Sequence, residues 1–284
     1  MKRPLDIKAE EQSMHIISGL TSAFESLSSM KIVMTKRDVL QSNIFFDEVW
    51  NIYKNIRVSG MFQYGRKADQ VSIDKELYIL ITASAGLSGD IDQRLIHLMS
   101  KEYDPAKHDI VVIGQHGAQQ LKQLGIVYKK FFNLPKKDAI NVEPLIRIIE
   151  NYRETRVFYQ SYSSLMVQDV KSLRLSEIIE TKGSKVDASE NMITEDTYIF
   201  EPNALVVVAH METSMMRLAL VQMIYDSRLA QYASRFKAMS VAHTRASDAA
   251  FDLHMQYNRA RRDIVDQRLK EMRAGLKKLK AKNA

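Results

Sequence analysis

No proline follows Pro202 in this chain of 284 residues, and the only glycine beyond it is Gly275. Apolar or small residues recur there at Leu229, Tyr232, Phe236, Met239, Ala242, Ala246, Ala249, Leu253, Tyr257, Ala260 and Ile264. Their mean step is about 3.5 residues, the period of a left-handed coiled coil. A second seam follows at Val265, Leu269, Met272, Leu276 and Leu279. A helix over 213–280 would be roughly 100 Å long at ~1.5 Å per residue. No globular domain of this chain is that wide. Most helix stability in water comes from tertiary packing, so such a helix needs a partner along its seam.

The sequence offers one near its start. Residues 5–56 lack proline, and Ile16, Leu20, Phe24, Leu27, Met30 and Met34 step by three or four, a seam that can continue through Val39, Ile44, Phe46, Val49, Ile52 and Ile56. Gly19 is the weak point of this helix. The pattern predicts an antiparallel coiled coil of the two ends, with Leu20, Phe24 and Leu27 against the Leu229–Ile264 seam.

Between the ends the pattern changes. Leu77–Thr82 and Ile110–Ile113 read as short buried strands, separated by a helix over Asp90–Lys101 that places Ile91, Leu95, Leu98 and Met99 on one face. A helix over Gln115–Leu124 ends at Gly125. Pro144 suits the first turn of a helix over Leu145–Tyr152. Arg156–Tyr162 and Leu165–Val170 read as later strands, and Thr181–Glu195 as a polar loop. Alternating strands and helices predict a Rossmann-like α/β domain with a partly parallel sheet. The expected segments are an N-terminal coiled-coil helix over 1–57, a central α/β domain over 58–200 and a C-terminal coiled-coil helix over 201–284.

Chemistry is hard to place on this chain. It has no cysteine, and its seven histidines include no i, i+4 pair with a glutamate between, which argues against a zinc site. The stretch from Thr82 to Gly89 follows a strand and precedes a helix, as a phosphate loop does. It lacks lysine and both nucleotide fingerprints, and Asp90 follows at once. Ser84 and Ser88 do not form a nucleophile elbow. The expectation is no catalytic residue, no metal and no cofactor.

The net charge of +7 suits nucleic acid, an anionic surface or an acidic protein partner. Much of the excess is Lys277, Lys278, Lys280 and Lys282 at the tip, read as a solvated helix end rather than a nucleic-acid site. No apolar signal core or transit peptide is apparent at the start, and no apolar run approaches the ~20 residues of a membrane span. The expected chain is soluble, or reaches a membrane only through other proteins.

Five stretches, in order, resemble the gamma subunit of rotary, F-type ATP synthases. Leu20–Ile32 resembles the family's I-T-x-A-M-x-M-V-x-x-x-K-L, with Thr21, Ala23 and Lys31 identical and Phe24 in place of a methionine. Ile81–Gly89 resembles T-S-D-[RK]-G-L-C-G through Thr82, Gly86, Leu87 and Gly89, with Ser88 in place of the cysteine. Tyr198–Pro202 resembles Y-x-F-E-P. Ala230–Met239 resembles S-E-x-x-x-R-M-x-A-M through Arg235, Ala238 and Met239, with Phe236 departing. Tyr257–Arg261 resembles Y-N-[KR]-x-R, with Arg262 and Arg268 replacing a glutamine and a glutamate. The departures mark a divergent member.

The resemblance implies a non-catalytic central-stalk rotor that couples ion flow, in the family proton transport, to ATP synthesis or hydrolysis. Implied partners are the alpha and beta subunits of the catalytic head, the epsilon subunit and the membrane c-ring. No nucleic acid is implied, and membrane contact is only through other subunits. The implied place is peripheral to the cell membrane on its cytoplasmic side. Arg261 and Arg262 lie in the segment that in the family touches acidic loops of the catalytic subunits; a solvated basic face is the alternative. Arg235, Phe24, Leu269 and Met272 complete the expected partner-binding set. Other readings of the chain are a coiled-coil adaptor, a nucleotide-binding enzyme, and the shaft of a rotary ATPase not devoted to synthesis.

Overall fold

The computed structural model describes residues 3–57, 73–133, 140–177, 201 and 204–282. The elements are α1 (Pro4–Arg57), β1 (Ile73–Ile81), α2 (Ile91–Ser100), β2 (His108–Ile113), α3 (Gln115–Gln123), β3 (Lys130–Phe132), α4 (Glu143–Ile149), β4 (Tyr152–Tyr162), β5 (Gln168–Arg174) and α5 (Ala204–Lys282). The Thr181–Glu195 loop and nearly all of the Tyr198–Pro202 motif lie outside the described residues, as do the side chains of the terminal lysines. Two compact units emerge. One joins Met1–Leu27 to Phe236–Ala284; the other is Ser28–Arg235. Each long helix contributes residues to both, so compactness divides the chain within its helices.

In the larger unit the strand order is β3-β2-β1-β4-β5. β1 to β4 run parallel, and β5 returns antiparallel to β4. β1 is central, and Leu77–Ile81 are almost wholly buried. Side chains of a strand alternate between faces, which is why a parallel sheet covered on both sides needs an unbroken apolar run. Leu77, Ile79 and Ile81 face a core with Phe46 and Trp50 of α1, Ile146 of α4 and Met215, Leu220 and Met223 of α5. Tyr78 and Leu80 face the opposite core with Leu95 and Met99 of α2 and Leu121 of α3. Pro144 stands in the first turn of α4, as expected.

Three local expectations shift. β3 was not foreseen; three residues carry too little pattern. α4 ends at Ile149, and Tyr152 begins β4. β5 starts at Gln168 rather than Leu165, because Ser163–Val167 form the hairpin turn. The Ser164 hydroxyl accepts from the Val167 N–H at 3.1 Å, and the Gln168 amide donates to the carbonyls of Ser164 and Leu165.

In the smaller unit the chain's two ends pair antiparallel. Lys8 Nζ lies 5.8 Å from the Tyr257 ring centroid, Glu11 meets His254 at 2.9 Å, and Ser18 meets His243 Nδ1 at 3.1 Å. Rising numbers on α1 thus meet falling numbers on α5.

The face that α1 buries differs from the expected one. Leu20 and Leu27 are 57% and 52% exposed, and Ile16, Met30 and Met34 are also exposed; Phe24 is half-buried. The buried stripe of α1 is Ile7, Thr21, Ser28, Ile32, Thr35, Val39, Phe46 and Trp50, again at heptad-like intervals. On α5 the expected seam is buried or half-buried from Leu229 to Ala260, with alanines at 242, 246, 249 and 250. Small side chains let two helices approach closely, and this turns the bulky residues of α1 outward. Ile264 is exposed, and so is every described side chain from Arg261 to Leu276. The second seam, Val265, Leu269, Met272 and Leu276, therefore has no cover from the described residues of this chain.

Candidate functional site

In doubly wound sheets, ligands bind beyond the carboxyl ends of the strands where the strand order reverses. Here that point lies between β1 and β4. The chain fills it with its own side chains. Thr82, at the end of β1, is fully buried, and its hydroxyl meets the carbonyls of Ile113 and Gly114 while accepting from the Gly117 N–H. Gly114 (φ +104°) and Gly117 allow this approach: a Cβ on Gly117 would lie 2.4 Å from Thr82.

Asp92, in the first turn of α2, is 1% exposed. Its carboxylate accepts from His116 Nδ1 at 2.6 Å, from the Gln160 amide at 2.7 Å and from the Ala83 N–H at 3.3 Å. Gln160 Oε1 in turn accepts from the Ser227 hydroxyl and from the Gln231 amide of α5. One buried polar chain thus runs from α3 through α2 and β4 to α5. The hydrogen bond with Asp92 pushes the His116 pKa up, against burial and the charge of Arg235.

Arg235 closes the arrangement from outside. Its guanidinium donates to the carbonyls of Ala85 (3.0 Å) and Gly86 (3.3 Å) and to the Ser88 hydroxyl (2.8 Å). Burial pulls its pKa down. The Ser234 hydroxyl donates to the Ser88 carbonyl at 2.6 Å. So held, the turn keeps Leu87 at φ +65°, with its side chain exposed. A left-handed non-glycine residue of this bulk stores strain that the surrounding bonds must offset.

The structure gathers none of the other expected partner-binding residues here. Arg261 and Arg262 lie on the exposed stretch of α5, Leu269 and Met272 beyond them on the same stretch, and Phe24 half-buried on α1. Asp92, His116, Gln160, Ser227 and Gln231 were not singled out from sequence. Their one sequence signal is the polar spacing of Ser227, Gln231 and Ser234 on an otherwise apolar helix face.

The family model described as ATP synthase matches residues 5–279. The ATP synthase gamma chain of Lachnoclostridium phytofermentans is 26% identical over 95% of this chain and 97% of that one. That of Trichlorobacter lovleyi is 22% identical over 92% and 93%. Among solved structures, a chain of the Euglena gracilis mitochondrial ATP synthase, resolved as OSCP/F1/c-ring in rotational state 3, aligns with a TM-score of 0.69 at 13% identity, covering 98% of this chain and 96% of that one. A chain of the rotor of the same enzyme aligns at 0.63, covering 92% and 99%. At 13% identity the structural likeness speaks for the fold, while the sequence match spans nearly the whole chain; the protein belongs to the gamma family of the ATP synthases.

Proposed function

We propose that this chain is the central shaft of an F-type rotary ATP synthase, carrying rotation between a membrane ion-driven ring and a catalytic head. The observation that carries the reading is the pairing of the chain's two ends over a small-residue seam, which leaves bulky apolar side chains of both helices facing outward. An isolated soluble chain gains nothing from such a surface; a shaft enclosed by other subunits does. Residues 1–57 and 201–284 supply the shaft, and 58–200 the body that meets the ring. The partners are the alpha and beta subunits around the shaft, with the epsilon subunit and c-ring at the body. The chain itself is non-catalytic: it biases the nucleotide states of the subunits around it through contacts that differ with its orientation. Among the described residues no helix is long and apolar enough to cross a membrane. Attachment runs through the ring, on the cytoplasmic side. Arg261, Arg262, Phe24, Leu269 and Met272 meet the head, and Arg235 serves through the turn it holds.

The test is assembly with purified alpha, beta, epsilon and ring subunits, followed by observation of a bead tethered to the body while ATP is supplied. Stepwise unidirectional rotation is expected. A stable complex that hydrolyses ATP with the bead at rest would overturn the proposal.

A further inference from the structure

The polar chain at the switch point includes one imidazole, that of His116. His116 and Asp92 are 2.6 Å apart, and Asp92 is 1% exposed. Everything that fixes the Ala83–Gly89 turn from beneath converges on these two residues. The Ala83 N–H and Gln160 donate to Asp92; the backbone N–H of His116 donates to the Ala83 carbonyl at 3.0 Å. His116 also lies directly under Gly86, where an added Cβ would meet its Nε2 at 3.7 Å.

We propose that Asp92 and His116 form a proton-operated latch: with His116 protonated, the neutral pair holds the turn and the α5 side chains that share Gln160 onto the sheet, and loss of that proton loosens them. The charged groups acting on His116 are Asp92 from α2 and Arg235 from α5. The turn after β1 meets it through the backbone of Ala83 and Gly86, and β4 contributes the neutral Gln160. Neutral imidazole can keep one N–H toward Asp92, so the bond survives deprotonation. What is lost is charge compensation for a carboxylate that is 1% exposed, with Arg235 of α5 as an opposing charge acting on it. The sign follows from the raised pKa of His116. Stability from the pair is complete below the ordinary histidine value of ~6.5 and is lost as pH rises through the higher folded value. The element released is the turn that keeps Leu87 strained and exposed, so the latch sets how firmly that side chain is presented.

The latch concerns the larger unit alone and goes beyond the rotor reading, so either can fail without the other. Hydrogen exchange of the full-length chain, followed by mass spectrometry at pH 6.0 and 8.5 and corrected for intrinsic rates, reads it directly. Protection of the peptide covering 83–89 is expected to fall roughly tenfold at the higher pH in the wild type. His116→Lys, which keeps a positive charge at both values, should hold the turn protected throughout. Asp92→Asn, which keeps acceptor capacity but removes the charge, should give protection that no longer responds to pH. Equal wild-type protection at both pH values overturns the latch. A pH response that persists in His116→Lys or Asp92→Asn overturns it too. The wild-type comparison decides even if a variant fails to fold.

Discussion

A methyl group at Gly117 would sit 2.4 Å from both Oγ1 and Cγ2 of Thr82, and neither neighbour is a flexible chain end. Gly117→Ala must therefore push α3 away from β1. Overpacking of this kind costs about 1–3 kcal/mol. Thermal unfolding should show the loss, and Thr82→Ala should make the second substitution cheaper than it is alone, a non-additivity that a double-mutant cycle measures. If the two effects simply add, the close approach carries no strain. Arg235 makes a separate claim on the same turn. Three partners on one planar guanidinium suit arginine's fixed fork, and lysine offers a single point charge in its place. Arg235→Lys is expected to cost about 1.5–3 kcal/mol, the range for hydrogen bonds to a charged group. The turn peptide should exchange faster in that variant while the β1–β2 pairing stays protected. Unchanged exchange would mean that the turn holds itself.

At the scale of elements, α1 separates what pattern reveals from what it conceals. Its helical period is plain in the sequence, and so is its partner, because α5 has small residues at one consistent face. The direction of α1's buried face is not, because both faces carry apolar residues: Ile32, Val39 and Phe46 on one, Leu20, Leu27 and Met34 on the other. Reading bulk as burial chose the wrong one over Ile16 to Met34, while Val39 and Phe46 in the expected continuation of the seam are buried. Thr21 and Ser28 are buried because they are small, a preference set by how closely the partner approaches and thus invisible before the fold forms. Leu20→Ser with Leu27→Ser should then leave the melting temperature of the isolated chain nearly unchanged, within about 0.5 kcal/mol per surface site. Thr21→Leu should lower it, at a cost of about 1–3 kcal/mol for excess volume in the seam. The reverse order would restore the expected seam. The sheet behaves in the opposite way. The runs at Leu77–Thr82 and Ile110–Ile113 mark β1 and β2 because strands covered on both faces need unbroken apolar sequence. The polar joint above them was not legible. Asp92 and His116 are 24 positions apart, and only the α/β crossover brings them together.

At the scale of the whole molecule, the outward row on α1 and the stretch of α5 from Arg261 to Leu276 are left uncovered by the described residues of the chain. Within the second stretch Arg261 and Arg262 are neighbours on a helix, about 100° apart. Both are exposed, so neither is spent on holding the helix pair together. An exposed ion pair contributes little, but one that loses water on binding a carboxylate contributes far more. If the head of a rotary synthase encloses this stretch, the two arginines fit acidic groups there, and each orientation of the shaft presents them to a different subunit. Arg261→Ala with Arg262→Ala should leave helix content and melting of the isolated chain as in the wild type. In the reconstituted complex, coupled ATP synthesis or hydrolysis should fall roughly five- to tenfold, more than after Lys280→Ala with Lys282→Ala at the tip. Raising the salt concentration should narrow the difference, because ions screen whatever part of the contact stays wet. A double alanine variant that assembles and turns over like the wild type would make the arginines a solvated basic face and nothing more. A variant that fails to assemble would instead place them in the construction of the complex, and the salt dependence of assembly would report the same contact.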